Sequence, residues 1–321
     1  MRCIFYIIVS LFISVTAFAN QKVVNVYAWI GEIPDSVIRQ YEQETGIKIN
    51  FTGVHNNEIM FSKLRATKNA NYDIVTPTGY FVQRMSRLHM LEPLDKSKLP
   101  NLKNLNPEFR HPAYDKQLQY GIPNVWGVTG IFYNEKFFPQ HSINKWSDLL
   151  DSRYKNQVLL MDDIRDVFAM SLISLGHSAN DDNPTHIKEA FTHLKQHIVN
   201  IKVYSGEATT SNIVDEDATL GMAWNGETYK AQRENPHIRF VYPQDGFVIW
   251  VDNLSIPKRA KHKEEAYQFI NFILRPDIAK TIALYSHYPT ANLAGQQLLP
   301  AEMRNNPVIY PSRKILQRFI R

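Results

Sequence analysis

The feature that most constrains the fold is a regular alternation of strand and helix patterns that starts at residue 23. Residues 23–29 form an apolar run rich in β-branched and aromatic side chains, which is typical of a buried strand. Pro34 then begins a helix pattern that ends at Gly46, and residues 47–51, 58–66 and 72–75 repeat the order strand, helix, strand. This opening predicts a parallel sheet with helices on both faces, whose ligands bind beyond the carboxyl ends of the strands.

The alternation continues through the rest of the chain. Strand patterns cover residues 127–133, 158–161, 220–224 and 247–251, and helix patterns cover residues 163–175, 184–197, 264–274 and a segment from Asp277. The helix at 184–197 carries an apolar stripe on Ile187, Ala190, Phe191, Leu194 and Ile198. A chain of 321 residues without an internal repeat or a Gly/Ser linker favours two lobes. We expect the chain to cross between them more than once, around a hinged cleft.

The N-terminal residues have the pattern of a secretory signal peptide. Arg2 precedes an apolar run over residues 4–18, and the run ends in the small-x-small triplet at residues 17–19. It is shorter than the ~20 residues that a membrane-spanning helix needs. We expect cleavage after Ala19, which removes the only cysteine, Cys3, and leaves an exported chain without disulfides. Export without disulfides is more typical of a bacterial periplasmic protein than of a small secreted eukaryotic domain.

Several function classes are disfavoured by the sequence. The formal charge of +5 is small and nowhere concentrated, so we do not expect a nucleic-acid partner. The sequence has no G-x-S-x-G, H-E-x-x-H or P-loop motif. His186, His193 and His197 share one helix face and could hold a metal ion, but a solvated polar face explains them as well, and they lack an obvious carboxylate partner. We therefore expect neither a metal nor a cofactor.

A set of aromatic and acidic residues remains at the predicted strand ends. Its members are Trp29, Tyr80, Asp163, Asp166, Trp224, Trp250 and Asp252. Plain structural roles are open for most of them: the tryptophans could be core residues, and Asp163 could be a helix N-cap with Asp166 completing a variant capping box. Asp252 follows a buried strand and needs a cationic partner or several donors.

Short segments in a fixed order carry a family resemblance. They are ETGIK (44–48), YDIV (72–75), DKSKL (95–99), WG (126–127), DD (162–163), WNG (224–226), WVD (250–252), NFILRPD (271–277) and YPT (288–290). From about residue 23 to 310 the chain resembles the periplasmic spermidine/putrescine-binding proteins of polyamine ABC importers. The resemblance implies a two-lobed α/β fold of the type II periplasmic-binding-protein kind, with a mixed sheet in each lobe and the ligand between the lobes. Residues 21–127 plus 251–296 would form the N-terminal lobe, and residues 128–250 plus 297–321 the C-terminal lobe.

The resemblance also implies a ligand site. Trp29, Tyr80, Trp224, Trp250 and Tyr288 match the aromatic positions of the family, Asp163, Asp166 and Asp252 match its carboxylates, and Thr78 precedes Tyr80 in the same loop. This chemistry suits a polyamine, because aromatic faces attract ammonium groups and line methylene chains, while buried carboxylates pair with the terminal ammoniums.

Two positions depart from the family pattern. Where the family usually has a tyrosine three residues after the first site tryptophan, this chain has Glu32, an extra potential anion at the mouth of the site. The family also contributes a glutamine from beyond the position where this chain stops, and no counterpart is found before Arg321. We expect Glu32 to take a terminal ammonium in place of that glutamine.

These observations predict a monomeric, non-enzymatic periplasmic binding protein. We expect it to capture a polyamine, with spermidine preferred over putrescine, and to deliver it to an inner-membrane ABC permease. One alternative is a binder of another cationic solute on the same scaffold. The alternative from another class is an exported hydrolase that uses Asp163 or Asp166 as its acid or base.

Overall fold

The computed structural model describes residues 21–67, 71–138, 143–206 and 208–317. Its strands are β1 (Val23–Trp29), β2 (Lys48–Val54), β3 (Ile74–Val75), β4 (Ile122–Asn134), β5 (Val158–Met161), β6 (Ile201–Ser205), β7 (Leu220–Trp224), β8 (Ile238–Val241) and β9 (Val248–Leu254). The predicted signal peptide lies outside the described residues.

Helices alternate with these strands. They are α1 (Asp35–Thr45), α2 (Asn57–Ala66), α3 (Gly79–Arg87), α4 (Trp146–Leu149), α5 (Ile164–Ser174), α6 (Pro184–His197), α7 (Thr209–Val214), α8 (Asn225–Glu234), α9 (Lys263–Ile273), α10 (Pro276–Ser286), α11 (Leu293–Gln297), α12 (Ala301–Arg304) and α13 (Arg313–Gln317). Within the described residues, no helix has the length and hydropathy to cross a bilayer.

The N-terminal strands form a parallel sheet in the order β2-β1-β3. The helix that joins β1 to β2 ends at Gly46, whose φ of 72° lies in the left-handed region that a glycine adopts without steric cost. The predicted β-α-β-α-β opening is confirmed, although β3 is shorter than its sequence pattern. Because β1 is paired with both neighbours in parallel, Trp29 and the loop after β3 lie at the same edge of the sheet.

A larger mixed sheet has the order β6-β5-β7-β4-β8, and β9 pairs with β4. β5 is parallel to β6 and β7, whereas β4 is antiparallel to β7, β8 and β9. Gly127 lies opposite Trp250 in the β4–β9 pair, and a Cβ at this position would lie 2.2 Å from the Trp250 ring. The glycine therefore allows the indole to lie against the strand.

Two large hydrophobic cores are connected through β4. The first contains Val24 and Phe269 and lies between the small sheet and helices α1, α9 and α10, and the second contains Trp146 and Met222 and lies against the larger sheet. Every residue of β4 is buried, and the strand contributes to both cores in turn. The two cores thus share a continuous strand and not a flexible linker.

Most predicted elements agree with the structure, but two strands are longer than their sequence patterns. The predicted strand at 127–133 begins five residues earlier, at Ile122, and the one predicted at 247–251 continues to Leu254. The prediction that Asp252 follows its strand is therefore wrong, since the residue lies within β9. Backbone pairing between β4 and β9 extends both strands beyond the apolar runs that indicate them in the sequence.

The apolar stripe of α6 mostly faces solvent. Of its five members only Ala190 is buried, and Phe191 is 52% exposed. The helix meets α5 through the Ala190 side, where the Ser171 hydroxyl donates to the Ala190 carbonyl at 2.9 Å. A helix at the edge of the protein packs against it along a narrow strip of its surface. Helical spacing of apolar residues therefore overestimates the number of side chains that are buried.

Candidate functional site

A cavity of about 1770 Å³ lies between the carboxyl edges of the two sheets. All ten predicted site residues line it: Trp29, Glu32, Thr78, Tyr80, Asp163, Asp166, Trp224, Trp250, Asp252 and Tyr288. They come from elements spread over more than 250 positions of the chain, so the tertiary fold alone brings them together.

Strand ends and helix starts position most of these side chains. Trp29 is the last residue of β1, and Trp224 is the last residue of β7. Thr78 is the N-cap of α3, and Asp163 is the N-cap of α5. Trp250 and Asp252 are two positions apart in β9, so they lie on the same face of that strand.

Asp252 is a buried carboxylate that is held by the Thr78 hydroxyl. It is 8% exposed, and the Thr78 hydroxyl donates to its Oδ1 at 2.7 Å. The Asn57 side chain in turn donates to the Thr78 hydroxyl at 3.0 Å and to the Tyr80 hydroxyl at 3.2 Å. Burial raises the pKa of Asp252 well above its usual value, and the nearby Glu32 charge raises it further.

Glu32 is buried beside Asp252 and does not lie at the mouth of the site, so that expectation is wrong. It is 5% exposed, its Oε1 accepts from the Asn124 side chain at 2.7 Å, and its Oε2 is buried without a described hydrogen-bond partner. Burial raises the pKa of Glu32 to about 7. Glu32 follows a turn closed by its own N–H on the Trp29 carbonyl, and that turn directs the side chain inward.

Asp163 and Asp166 form a second acidic pair at the start of α5. The Asp163 carboxylate accepts from the Asp166 N–H at 2.9 Å, which confirms the N-cap interpretation. Asp166 is buried and accepts from the Thr129 hydroxyl at 2.6 Å and from the Trp224 indole at 3.1 Å. Burial, followed by the charge of Asp163, raises the pKa of Asp166 to about 7. Asp163 thus caps α5 and also lines the cavity.

Aromatic rings form the walls between the two acidic pairs. Trp224 and Trp250 meet edge to face with centroids 6.2 Å apart, and Trp250 meets Tyr288 in the same way at 5.1 Å. The indole nitrogens of Trp29 and Trp250 are buried without a described hydrogen-bond partner. The core interpretation of Trp224 and Trp250 is incomplete, because both rings are partly exposed to the cavity.

One polar group in this wall is not among the residues predicted from the sequence. Glu227, in the first turn of α8, accepts from the Tyr288 hydroxyl at 3.0 Å and from the Lys230 ammonium at 2.8 Å. The Lys230 ammonium also lies 5.6 Å from the centroid of the Tyr288 ring. Its position in the sequence could have indicated this role. Glu227 lies three residues after the end of β7, and ligands of α/β sheets bind beyond the carboxyl ends of parallel strands.

A histidine cluster lies near the rim of the cavity. His186, one of the three histidines predicted to share a helix face, lies 2.9 Å from the Asp181 carboxylate through its Nδ1 and stacks on the ring of His177. The expectation that it lacks a carboxylate partner is therefore wrong. His193 and His197 instead contact each other, with ring centroids 4.9 Å apart. Among the described residues, His177, Asp181 and His186 form the group able to hold a metal ion.

The site as a whole is suited to an organic cation with an apolar chain. Two pairs of carboxyl groups, of which Glu32, Asp166 and Asp252 are buried and Asp163 is half-buried, have pKa values raised mainly by desolvation, and a cation placed between them would stabilise their charged forms. The aromatic walls offer apolar faces of the kind that line methylenes and attract ammonium groups.

Comparison with known proteins agrees with this geometry. Residues 36–309 match the family model of the bacterial extracellular solute-binding protein. The spermidine/putrescine-binding periplasmic protein of Salmonella typhimurium is 37% identical over 292 residues, 91% of this chain and 84% of the relative, and that of Escherichia coli K12 is 38% identical over 291 residues, with the same coverage of both chains. A spermidine/putrescine ABC transporter structure from Listeria monocytogenes superposes with a TM-score of 0.89 at 36% identity, covering 93% of this chain and 92% of the other.

Proposed function

Because the chain belongs to the bacterial extracellular solute-binding protein family, and to its spermidine/putrescine-binding branch, we propose that it is a polyamine receptor. It captures spermidine, and more weakly putrescine, in the cavity between its sheets and delivers it to an inner-membrane ABC permease. It works in the periplasm as a monomer and catalyses no reaction on its ligand. The predicted signal peptide at residues 1–19 directs the export.

The pairing of buried acids with aromatic walls carries this proposal. Glu32 with Asp252, and Asp163 with Asp166, are two acidic pairs whose pKa values are raised because burial disfavours their charge. A buried carboxylate without a counter-ion is costly, whereas a carboxylate that contacts an ammonium forms a hydrogen bond of roughly twice the neutral strength. A polyamine brings an ammonium to each pair.

The ligand's methylenes account for the aromatic side chains between the pairs. Trp224, Trp250 and Tyr288 offer successive edge-to-face rings, and an ammonium over such a ring gains about 0.5 to 2 kcal/mol. An uncharged chain of equal length would leave the carboxyl groups unpaired in a dry site. Selectivity for polyamines over neutral solutes follows from that difference.

We propose that the two lobes close over the ligand about β4 and β9. The lobes comprise residues 21–127 with 251–296, and 128–250 with 297–321. Both proposed crossings fall at one place, because Gly127 and Trp250 lie opposite each other in the β4–β9 ladder. Rotation there would move Asp252 and Glu32 toward the Asp163–Asp166 pair while keeping both cores intact.

The preference for spermidine follows from the number of charges. Spermidine has three ammonium groups and putrescine has two, while the two acidic pairs of the cavity comprise three buried carboxyl groups and the half-buried Asp163. The relatives named as spermidine/putrescine-binding proteins are 35–38% identical to this chain, whereas the putrescine-binding protein of Escherichia coli is 30% identical over 92% of this chain and 85% of that relative. The burial of Glu32 next to Asp252 supports its role as a ligand group.

Calorimetric titration of the exported form, residues 20–321, tests the proposal. Spermidine should bind with a stoichiometry of one per protein and more tightly than putrescine. An uncharged chain of similar length should not bind. Asp166→Asn should weaken spermidine binding, while Asp217→Asn, which removes an exposed charge away from the cavity, should leave it unchanged. Tighter binding of another cation, such as a guanidinium compound, would favour the alternative solute and contradict the polyamine assignment.

A second measurement addresses the enzyme alternative. The protein is incubated with spermidine for hours, and the small molecules are released by denaturation and identified by mass spectrometry. Recovery of intact spermidine in the bound amount is the expected result. Conversion that disappears in Asp166→Asn would instead identify a hydrolase.

A further inference from the structure

A group of four side chains lies on the connection between α5 and α6 and on the first turns of α6, at the rim of the cavity, and none of the four is assigned to the proposed polyamine site. One ligand atom from each of His177, Asp181 and His186 lies within 4.8 Å of the others. The His186 Nδ1 is 2.9 Å from the Asp181 Oδ2, and the His177 Nε2 is 3.4 Å from the Glu189 Oε2. The two imidazole rings stack with centroids 3.9 Å apart and planes 13° apart.

An ion pair between His186 and Asp181 explains only part of this arrangement. It leaves open why a second imidazole lies flat on the first and why a second carboxylate approaches that imidazole. Glu189 is three residues after His186 on α6, so the two side chains lie on the same helix face. The four groups thus converge from the connection and from the first turns of the helix.

We propose that His177, Asp181 and His186 bind a divalent transition-metal ion of the zinc class, with Glu189 as a fourth ligand. Imidazole nitrogen with carboxylate oxygen is a donor set typical of zinc, nickel and copper, whereas calcium and magnesium take oxygen ligands only. The ion connects the end of α5 to the start of α6.

The backbone already orients Asp181 for this role. Its Oδ1 accepts from the Asn183 N–H at 2.8 Å, and its own N–H donates to the Ser178 carbonyl at 3.0 Å. Asn183 in turn caps α6 by accepting from the Thr185 N–H at 2.9 Å. The Oδ2 of Asp181 is thereby directed away from the turn and toward His186.

The side chains must move only a short distance to bind an ion. Ligands at 2.0–2.1 Å from a tetrahedral zinc lie about 3.3 Å from one another, so the separations of up to 4.8 Å must contract and the rings must turn out of their stack. The side chains of His177, Asp181 and His186 are 23%, 18% and 31% exposed, which leaves room for this movement and gives the ion access from solvent.

The same helix supplies a matched control. His193 and His197 are also adjacent, with ring centroids 4.9 Å apart, but the His193 Nδ1 contacts the Ser171 hydroxyl instead of a carboxylate. Replacing this pair removes as many histidines from the protein as replacing the proposed ligands. A difference between the two double variants therefore reports on the cluster and not on the histidine content.

Zinc titration of the untagged, chelator-treated protein by calorimetry tests the site. One zinc ion per chain should bind with a Kd at or below about 10 μM, and H177A/H186A should weaken binding at least about 100-fold. Asp181→Asn should weaken it about 10-fold or more, and H193A/H197A should remain within about twofold of the wild type. The thermal unfolding temperature should rise on zinc addition only where binding is retained.

Further controls separate this site from the cavity carboxylates and from misfolding. Asp252→Asn should leave zinc binding unchanged, and each histidine variant should keep spermidine binding, which shows that it is folded. Visible absorption of the Co²⁺ form should show bands of a nitrogen- and oxygen-coordinated ion that are absent in H177A/H186A. Equal loss in both double variants, loss in Asp252→Asn, or no saturable binding would overturn the proposal.

Discussion

The two acidic pairs of the cavity differ in how the protein supports their charge. Asp163 and Asp166 lie at the N-terminus of α5, where backbone N–H groups and the helix dipole favour negative charge. The Glu32–Asp252 pair lies on a turn and within a strand. Asp252 accepts from the Thr78 hydroxyl at 2.7 Å and Glu32 from the Asn124 side chain at 2.7 Å, and further contacts with Trp29 and Thr76 favour their charged forms only in part against burial.

This difference shows which pair depends more on a bound cation. The pKa values of Glu32 and Asp166 are raised to about 7, and that of Asp252 is raised well above its usual value by burial and then by the Glu32 charge. In the Glu32–Asp252 pair, burial therefore outweighs the hydrogen bonds that the protein supplies to the two carboxyl groups. We infer that this pair gains most from a ligand ammonium, and the following substitutions and pH changes test that ranking.

The largest expected effect is that of Asp252→Asn. We expect spermidine affinity to fall by about 2 to 4 kcal/mol, roughly 30- to 1000-fold, because an ammonium would face a neutral amide in a dry site. The Thr78 hydroxyl can still donate to the amide oxygen, so the unliganded protein should unfold at an equal or higher temperature. Calorimetry and thermal unfolding measure both. A variant that unfolds readily and keeps its affinity would show that Asp252 is a structural group.

The pH dependence of binding should be the next largest effect. The raised pKa values of Glu32 and Asp166 mean that the unliganded site holds protons below about pH 7, and a polyamine must displace them. Affinity should therefore fall about tenfold or more from pH 8 to pH 5.5, a range in which amines with pKa values near 10 stay charged. Calorimetry in buffers of different ionisation enthalpy should detect proton release at pH 7.

The same groups affect the stability of the unliganded protein in the opposite direction. Because their native pKa values exceed the unfolded values, their contribution is favourable below the unfolded pKa and is lost as the pH rises through about 7. Spermidine should therefore raise the unfolding temperature more at pH 8 than at pH 5.5. A pH-independent shift would contradict the desolvated-acid description of the site.

Glu32→Gln should have a smaller effect that distinguishes between ligands. The glutamine keeps the hydrogen bond from Asn124 and removes one of the two charges beside the ligand, so we expect spermidine affinity to fall about tenfold. Putrescine affinity should fall less, since its two ammonium groups can pair with Asp252 and the Asp163–Asp166 pair. Competition calorimetry compares them. Unchanged spermidine affinity would remove Glu32 from the ligand site.

Substitutions of Asp163 should have the smallest effect, and they separate its role as the N-cap of α5 from its proposed role as a ligand carboxylate. Asparagine is as good an N-cap as aspartate, whereas alanine is not, so Asp163→Asn should preserve stability and Asp163→Ala should lose about 1 kcal/mol. Both variants remove the charge and should weaken spermidine binding to a similar extent, and by less than Asp252→Asn. Urea unfolding and calorimetry on the pair test this. If Asp163→Asn keeps full affinity, its carboxylate is only a cap.

Several features of this protein follow from the sequence alone because they depend on near neighbours. The bounds of β1, β5, β7 and α6 agree with their patterns, since hydrophobic period, proline and glycine act within a few residues. Part of the set that lines the cavity, namely Trp29, Tyr80, Asp163 and Trp224, was also recognisable, because these residues end or follow the parallel strands β1, β3, β5 and β7. Polar and aromatic residues that follow such strands are therefore found together.

Other features were decided only by the tertiary structure. Glu32 is buried because Asn124, 92 positions away, reaches it, and no local pattern encodes that contact. Likewise the Glu227–Tyr288 bond joins residues 61 positions apart, and His177 meets His186 only because the connection between α5 and α6 folds back. β4 and β9 are longer than their apolar runs because each completes the hydrogen bonding of the other. Burial and pairing depend on which distant segments share a surface, and sequence periodicity carries no information about that choice.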